Sequence, residues 1–179
     1  MALFSKLTKT GEILRILKLI AWIAFFGFIV GAGAYLIAYF VSWVEPESAK
    51  NLPKGFGLSE LYQYNFGYYS LLIFIIITLG IIKAVVWYMV AKIISKIELE
   101  NPFTKEITRK LEFISYTLFS IFVLSMIGHI FINRMSYRIT DMQENLKVGE
   151  FLFMAALVFT ISQIFKRGVE LQSENELTV

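Results

Sequence analysis

The chain contains four long apolar runs separated by charged segments. No Asp, Glu, Lys or Arg occurs in residues 19–44, 61–82, 113–132 or 151–165. A helix needs roughly 20 apolar residues to cross a bilayer, and the fourth run reaches this length if it begins at Val148 or if the bilayer thins locally. Since the runs show no strand-like alternation, helices are the form that satisfies their backbone. The pattern predicts an all-α membrane protein with four transmembrane helices, at about 19–44, 61–82, 113–132 and 148–165.

Apolar positions with helical spacing continue on both sides of the second connection. Val86 and Ile93 lie on one face before the turn, and Ile107 and Leu111 lie on one face after it, with charged residues between them. This is the amphipathic pattern of helices that leave the membrane while still packing on a partner. We therefore expect helices two and three to extend into a helical hairpin over residues 83–112.

The remaining segments are short. Residues 1–18 have the pattern of an amphipathic helix that lies on the membrane surface. Residues 45–60 and 133–147 are predicted to be loops on one side of the membrane, and residues 166–179 a tail on the other. Residues 1–179 are thus expected to form a single transmembrane domain, an antiparallel up-down bundle.

Composition supports a membrane protein, because only 17% of the residues are charged, against about 25% in an average soluble domain. Of the 17 basic residues, twelve lie in the N-terminal segment, the hairpin and the tail. The positive-inside rule places that side in the cytoplasm, together with both termini. The net charge of +3 is then explained by topology and does not indicate direct nucleic-acid binding. Cysteine is absent, so no disulfide or thiolate site exists.

The hairpin turn carries candidate capping residues. Asn101 is a good N-cap and Pro102 suits the first helical position, where no amide donor is needed. Thr104 is a weaker candidate because no acid or amide follows at the spacing of a capping box. The turn thus predicts that helix three begins at Asn101.

A turn centred near residues 97–98 would place Lys83 opposite Glu112. Each is the innermost charge of its segment, and pairing two charges at the membrane boundary costs less than leaving either alone. Alternatively, Lys83 extends to the lipid headgroups by itself. Both interpretations stay open on the sequence.

Few residues suggest chemistry inside the spans. His129 is the single histidine, and a metal site needs further ligands. The apolar runs offer no Asp, Glu or Cys, so we expect no cofactor, no metal and no enzymatic activity, and the role of His129 stays open. Gly27 and Gly31 form a small-xxx-small pair, which suits either packing within the chain or a homo-oligomer.

Two segments carry a family resemblance. One is the turn Glu100-Asn-Pro-Phe-Thr with Arg109, Lys110 and Leu111 after it, and the other is the C-terminal stretch from Ile164 to Val179. With four membrane helices around them, the chain resembles the YoaS-like bacterial integral membrane proteins, a family classed as a domain of unknown function. The resemblance implies a small protein of the bacterial cytoplasmic membrane, often encoded beside a small helix-turn-helix transcription regulator.

The leading functional hypothesis is therefore an interaction protein whose cytoplasmic face docks such a DNA-binding regulator. The candidate docking residues are Asn101, Pro102, Phe103 and Thr104 in the turn, and Lys166, Arg167, Gly168, Glu170, Glu174 and Glu176 in the tail. Gly168 is expected to end helix four as a C-cap. A structural role is the alternative, in which the tail packs on the basic face of the hairpin and its Glu170 and Glu174 meet Lys92, Lys96 or Lys105. A second function is a small-molecule or lipid binder or transporter within the bundle.

Overall fold

The computed structural model describes residues 2–45, 58–97, 102–136 and 148–176. These residues form five helices and no strand: α1 Ala2–Val44, α2 Leu58–Tyr64, α3 Phe66–Lys96, α4 Lys105–Ser136 and α5 Gly149–Glu176. Within them, Lys9–Val44, Phe66–Lys96, Lys105–Ser136 and Gly149–Glu174 are long and apolar enough to cross a membrane. The prediction of an all-helical chain with four such helices is confirmed, and it indicates a multi-pass membrane protein.

The predicted surface helix at residues 1–18 is not separate from the first span. A single helix, α1, runs without interruption from Ala2 to Val44. The first proline of the chain is Pro46, so nothing in this stretch removes a backbone donor or blocks helix continuation. The amphipathic stretch therefore prolongs the span along one axis.

The second apolar run is broken at Asn65. The Asn65 side chain accepts hydrogen bonds from the amides of Gly67 at 2.8 Å and Tyr68 at 3.2 Å, which caps α3. The residues before it form the short helix α2, whose Leu58 and Leu61 are buried. The long helix therefore begins at Phe66, later than the predicted residue 61, and continues without a break to Lys96.

Neighbouring long helices run antiparallel. The rings of Trp22 and Tyr39 on α1 contact those of Tyr88 and Tyr69 on α3, respectively. α3 turns back into α4, and α5 packs along α4. Among the described residues, α1 makes a close backbone approach to α3 alone, and α5 to α4 alone. The four helices thus form a row, α1–α3–α4–α5, and not a closed ring.

Two buried clusters hold the row together. One lies at the end of the molecule that carries α2, here the α2 end, and contains Leu58, Leu61, Tyr69, Leu72, Ile73, Ile132 and Met135. The other joins α3, α4 and α5 toward the end that carries the α3–α4 turn, here the hairpin end, and contains Ile75, Leu79, Ile93, Ile107, Ile114, Leu118, Ile121 and Ala155.

Glycine has different roles in α1 and α3. A Cβ added at Gly80 of α3 would lie 3.1 Å from the Cβ of Ala32, so α1 and α3 approach closely there. A Cβ at Gly27 or Gly31 would meet nothing within 4 Å. The Gly27–Gly31 pair is therefore not used for packing among the described residues, and the homo-oligomer stays a prediction.

Candidate functional site at the hairpin end

Thr104 is the residue that caps α4. Its Oγ1 accepts a hydrogen bond from the amide of Ile107 at 3.3 Å, and its carbonyl accepts from the Thr108 hydroxyl at 3.1 Å. Pro102 precedes the helix, and Asn101 lies outside the described residues. The predicted start at Asn101 is wrong, because a threonine hydroxyl that reaches the third helical amide is a sufficient cap without an acidic partner.

The register of the hairpin follows from one carboxylate. Oε1 of Glu106 lies 2.6 Å from Nζ of Lys96 and 2.7 Å from Nζ of Lys110, and these contacts place the turn centre near residue 101. Glu112 is consequently opposite residue 90 of α3 and not opposite Lys83. The structure does not bring the predicted pair together.

Glu112 and Lys83 have other neighbours. The Glu112 carboxylate accepts a hydrogen bond of 3.5 Å from the Gln163 amide of α5. The Lys83 Nζ lies 5.0 Å from the ring centroid of Phe151 and 5.9 Å from that of Phe28. Lys83 is thus held between α1 and α5, whereas Glu112 belongs to the α4–α5 interface.

The turn and the tail contact each other through Phe103. Its ring centroid lies 5.1 Å from that of Phe165, and a Cβ added at Gly168 would lie 2.6 Å from its Cδ1. Gly168 does not end the helix, since α5 continues to Glu176. The glycine instead leaves the space that the Phe103 ring occupies. This contact favours the structural interpretation of the two motif segments.

The tail charges are paired within their own helix. Nη1 of Arg167 lies 2.9 Å from Oε2 of Glu170, three residues later, and both side chains are exposed. Glu170 therefore does not pair with Lys92, Lys96 or Lys105 as the structural alternative expected. The side chain of Glu176 lies outside the described part of the chain.

Two clefts flank the first turns of α4. One, of about 310 Å³, lies between α4 and α5. The other, of about 500 Å³, lies beside Met89 of α3. Lys105 and Arg109 line both clefts. Lys166 contributes a third basic side chain to the first cleft, where Glu112 and Glu170 also lie. The sequence pattern predicted roles for Lys105 as a possible partner of the tail acids and for Arg109 in the family motif, but not a shared surface. Their spacing of four residues nevertheless places them on one helix face.

His129 lies far from these clefts, toward the α2 end. Its Nε2 is 3.5 Å from the amide nitrogen of Asn133, one turn later on α4. No group of three or more His, Cys, Asp or Glu side chains among the residues with described positions is arranged to hold a metal ion.

Comparison with known protein families gives a match over most of the chain. The family model described as "Protein of unknown function (DUF2975)" matches residues 58–179. No curated protein and no solved structure matches the chain. The matched residues include α2 to α5, the turn and the tail, and they amount to more than half of the chain. The chain therefore belongs to the DUF2975 family.

Proposed function

We propose that this chain is a multi-pass protein of the bacterial cytoplasmic membrane whose hairpin end docks a cytoplasmic partner, such as a small helix-turn-helix regulator. The observation that carries the proposal is the basic ridge formed by Lys105 and Arg109, which stands between two clefts. Both side chains are exposed. The positive-inside rule supports the placement of this end, and of both termini, in the cytoplasm.

The chemistry of the ridge defines the partner surface. Exposed Lys and Arg side chains attract an acidic surface and speed its encounter. The packing of Phe103 against Gly168 holds the turn to α5, which forms one wall of the first cleft. In this arrangement the family-like turn and tail support the site, and the ridge between them makes the contact. No catalysis is part of the proposed function.

Co-purification tests the docking. The tagged chain is isolated from membranes together with the regulator encoded beside it, in wild type and in a Lys105→Glu, Arg109→Glu variant. We expect enrichment of the regulator with wild type and its loss with the variant. Lys9→Glu with Arg15→Glu is the matched control, because it reverses the same number of exposed basic charges on α1. Equal enrichment in all three proteins, or none in any, contradicts the proposal.

Orientation is tested by labelling. Because the chain has no cysteine, Ser173→Cys introduces a single thiol at an exposed position of α5. We expect a membrane-impermeant maleimide to label it only after the cells are permeabilised. Labelling of intact cells would place the hairpin end outside and exclude a cytoplasmic partner.

A binder of a small apolar molecule is the second candidate function. The observation that favours it is the position of Lys83, whose amine lies between the rings of Phe28 on α1 and Phe151 on α5. α1 and α5 make no close backbone approach to each other in the described ranges, and the amine lies between their side chains.

A further inference from the structure

Lys83 lies deep within the apolar part of α3. The ring contact between Trp22 and Tyr88, at 6.1 Å, aligns α1 with α3. It brings Lys18, four residues before Trp22, to the same height as Lys92, four residues after Tyr88. Lys83 precedes Lys92 by nine residues, which is about 13 Å along a helix axis. The common height of Lys18 and Lys92 is taken as the edge of the hydrocarbon core. Since this core is about 30 Å thick, Lys83 is close to its middle.

Charged residues of α4 and α5 lie at the same height as Lys18 and Lys92. The hairpin register places Glu112 of α4 within one turn of the height of Lys92. Gln163 of α5 donates to Glu112 and is three residues from Lys166. One charged residue of each helix, Lys18, Lys92, Glu112 and Lys166, therefore lies near the same height at the hairpin end, and Lys83 lies beyond it.

The Lys83 amine points away from that boundary. Cβ atoms tilt toward the N-terminus of a helix, and the N-terminus of α3 is at the α2 end. The Nζ accordingly reaches Phe151, in the first turn of α5. Among the described residues, no Asp or Glu forms an ion pair with Lys83. The side chain thus does not extend to the headgroups at the hairpin end, and its contacts are aromatic rings.

A lysine amine at this depth stays charged only beside an anionic partner. Ionisable residues in membrane spans are costly and usually pair or line a pathway. Contact with the faces of two phenyl rings offsets part of the cost. Beside Phe28, the Cβ position of Gly31 is open to a distance of 4 Å. The amine between α1 and α5 therefore lies in an apolar setting, with open space at the Cβ position of Gly31 beside it.

We propose that Lys83 binds the carboxyl group of a long-chain carboxylic acid that enters sideways between α1 and α5. The neutral acid dissolves in hydrocarbon, whereas a lipid phosphate stays ionised and remains near the interface. The carboxyl proton moves to the Nζ of an uncharged Lys83, and the resulting carboxylate and ammonium form an ion pair between the two rings. This inference rests on the second candidate function and names its ligand class.

Quenching of tryptophan fluorescence tests the proposal, because Trp87 is one turn from Lys83. The full chain in nanodiscs is titrated with dibromostearic acid and, separately, with its methyl ester. We expect saturable quenching by the acid, roughly tenfold weaker binding in Lys83→Met, and retention in Lys83→Arg. Lys92→Met is the matched control. Lys92 is on the same helix and its Nζ also lies over an aromatic ring, 5.3 Å from the centroid of Tyr88, but it is at the height of Lys18 and not deeper. This control is expected to bind as wild type does.

The possible results distinguish binding of the carboxyl group by Lys83 from binding of an apolar molecule in general. Equal binding of the acid and the ester overturns the role of the carboxyl group, while the apolar binder survives. Absence of saturable quenching by either ligand overturns both. Equal losses in Lys83→Met and Lys92→Met would show general charge attraction and overturn the site. The comparison of acid with ester uses the wild-type chain alone, so it decides the question even if Lys83→Met fails to fold.

Discussion

The two ends of the molecule are held together by different interactions. At the α2 end, Tyr69 is fully buried and stacks on Tyr39, with ring centroids 6.0 Å apart. Its hydroxyl donates to Ser42 Oγ at 3.3 Å, and Ser42 donates to the carbonyl of Ala38 at 2.7 Å. At the hairpin end, Phe103 is 38% exposed, and the ion pairs centred on Glu106 lie at the surface.

This difference separates stability from recognition. Buried rings with satisfied hydroxyls contribute strongly to stability, whereas exposed ion pairs contribute little because water and salt screen them. Charges that are not needed for folding remain available to a partner. Both ends also carry a buried apolar cluster. The comparison therefore assigns the stronger anchoring to the α2 end, and the exposed charges of the hairpin end support its proposed role in docking.

Truncating one aromatic residue at each end gives the largest expected effect. We expect Tyr69→Ala to lower the free energy of unfolding by about 3–5 kcal/mol, as for other buried aromatic residues. Phe103→Ala should cost about 1–2 kcal/mol, because less of its surface leaves water or lipid. Denaturation by sodium dodecyl sulfate in mixed micelles measures both values. Equal losses would contradict the assignment of anchoring to the α2 end.

The four long helices could be predicted because a membrane span is a matter of length and hydropathy. The break at Asn65 could not, since it lies inside a run that is apolar enough to continue. Only the hydrogen bonds from the Asn65 side chain to two following amides distinguish a cap from a polar residue within a helix. The row arrangement also depends on which faces meet, which hydropathy does not specify.

At the candidate site, local rules were less reliable than tertiary contacts. Gly168 looks like a C-cap from its neighbours in sequence, yet the structure uses it to admit the ring of Phe103, 65 residues earlier. The sequence placed the turn centre three to four residues too early. In an antiparallel hairpin, the residue opposite Lys83 then shifts by twice that number, and Glu112 was therefore wrongly predicted to be its partner. With that error removed, Lys83 is opposite residue 119 of α4 and not opposite Glu112.

A smaller effect is expected for an added methyl group at Gly168. Gly168→Ala should displace the Phe103 ring and lower the free energy of unfolding by about 1 kcal/mol, at the low end for overpacking. Gly27→Ala is the matched control, since its Cβ meets nothing within 4 Å, and it should be neutral or stabilising. In a Phe103→Ala background the cost of Gly168→Ala should disappear. A cost that persists there would place its origin elsewhere in α5.

The smallest effect is expected at Glu106, whose carboxylate contacts both Lys96 and Lys110. Glu106→Gln removes both ion pairs, but the side chains of Lys96 and Glu106 are 52% and 54% exposed. We therefore expect its unfolding midpoint to differ from wild type by less than that of Phe103→Ala, and the difference to vanish at high salt. The regulator should still co-purify, because Lys105 and Arg109 are unchanged. A large, salt-independent loss of stability would show that the hairpin end depends on its charges to fold, and would remove the contrast between the two ends.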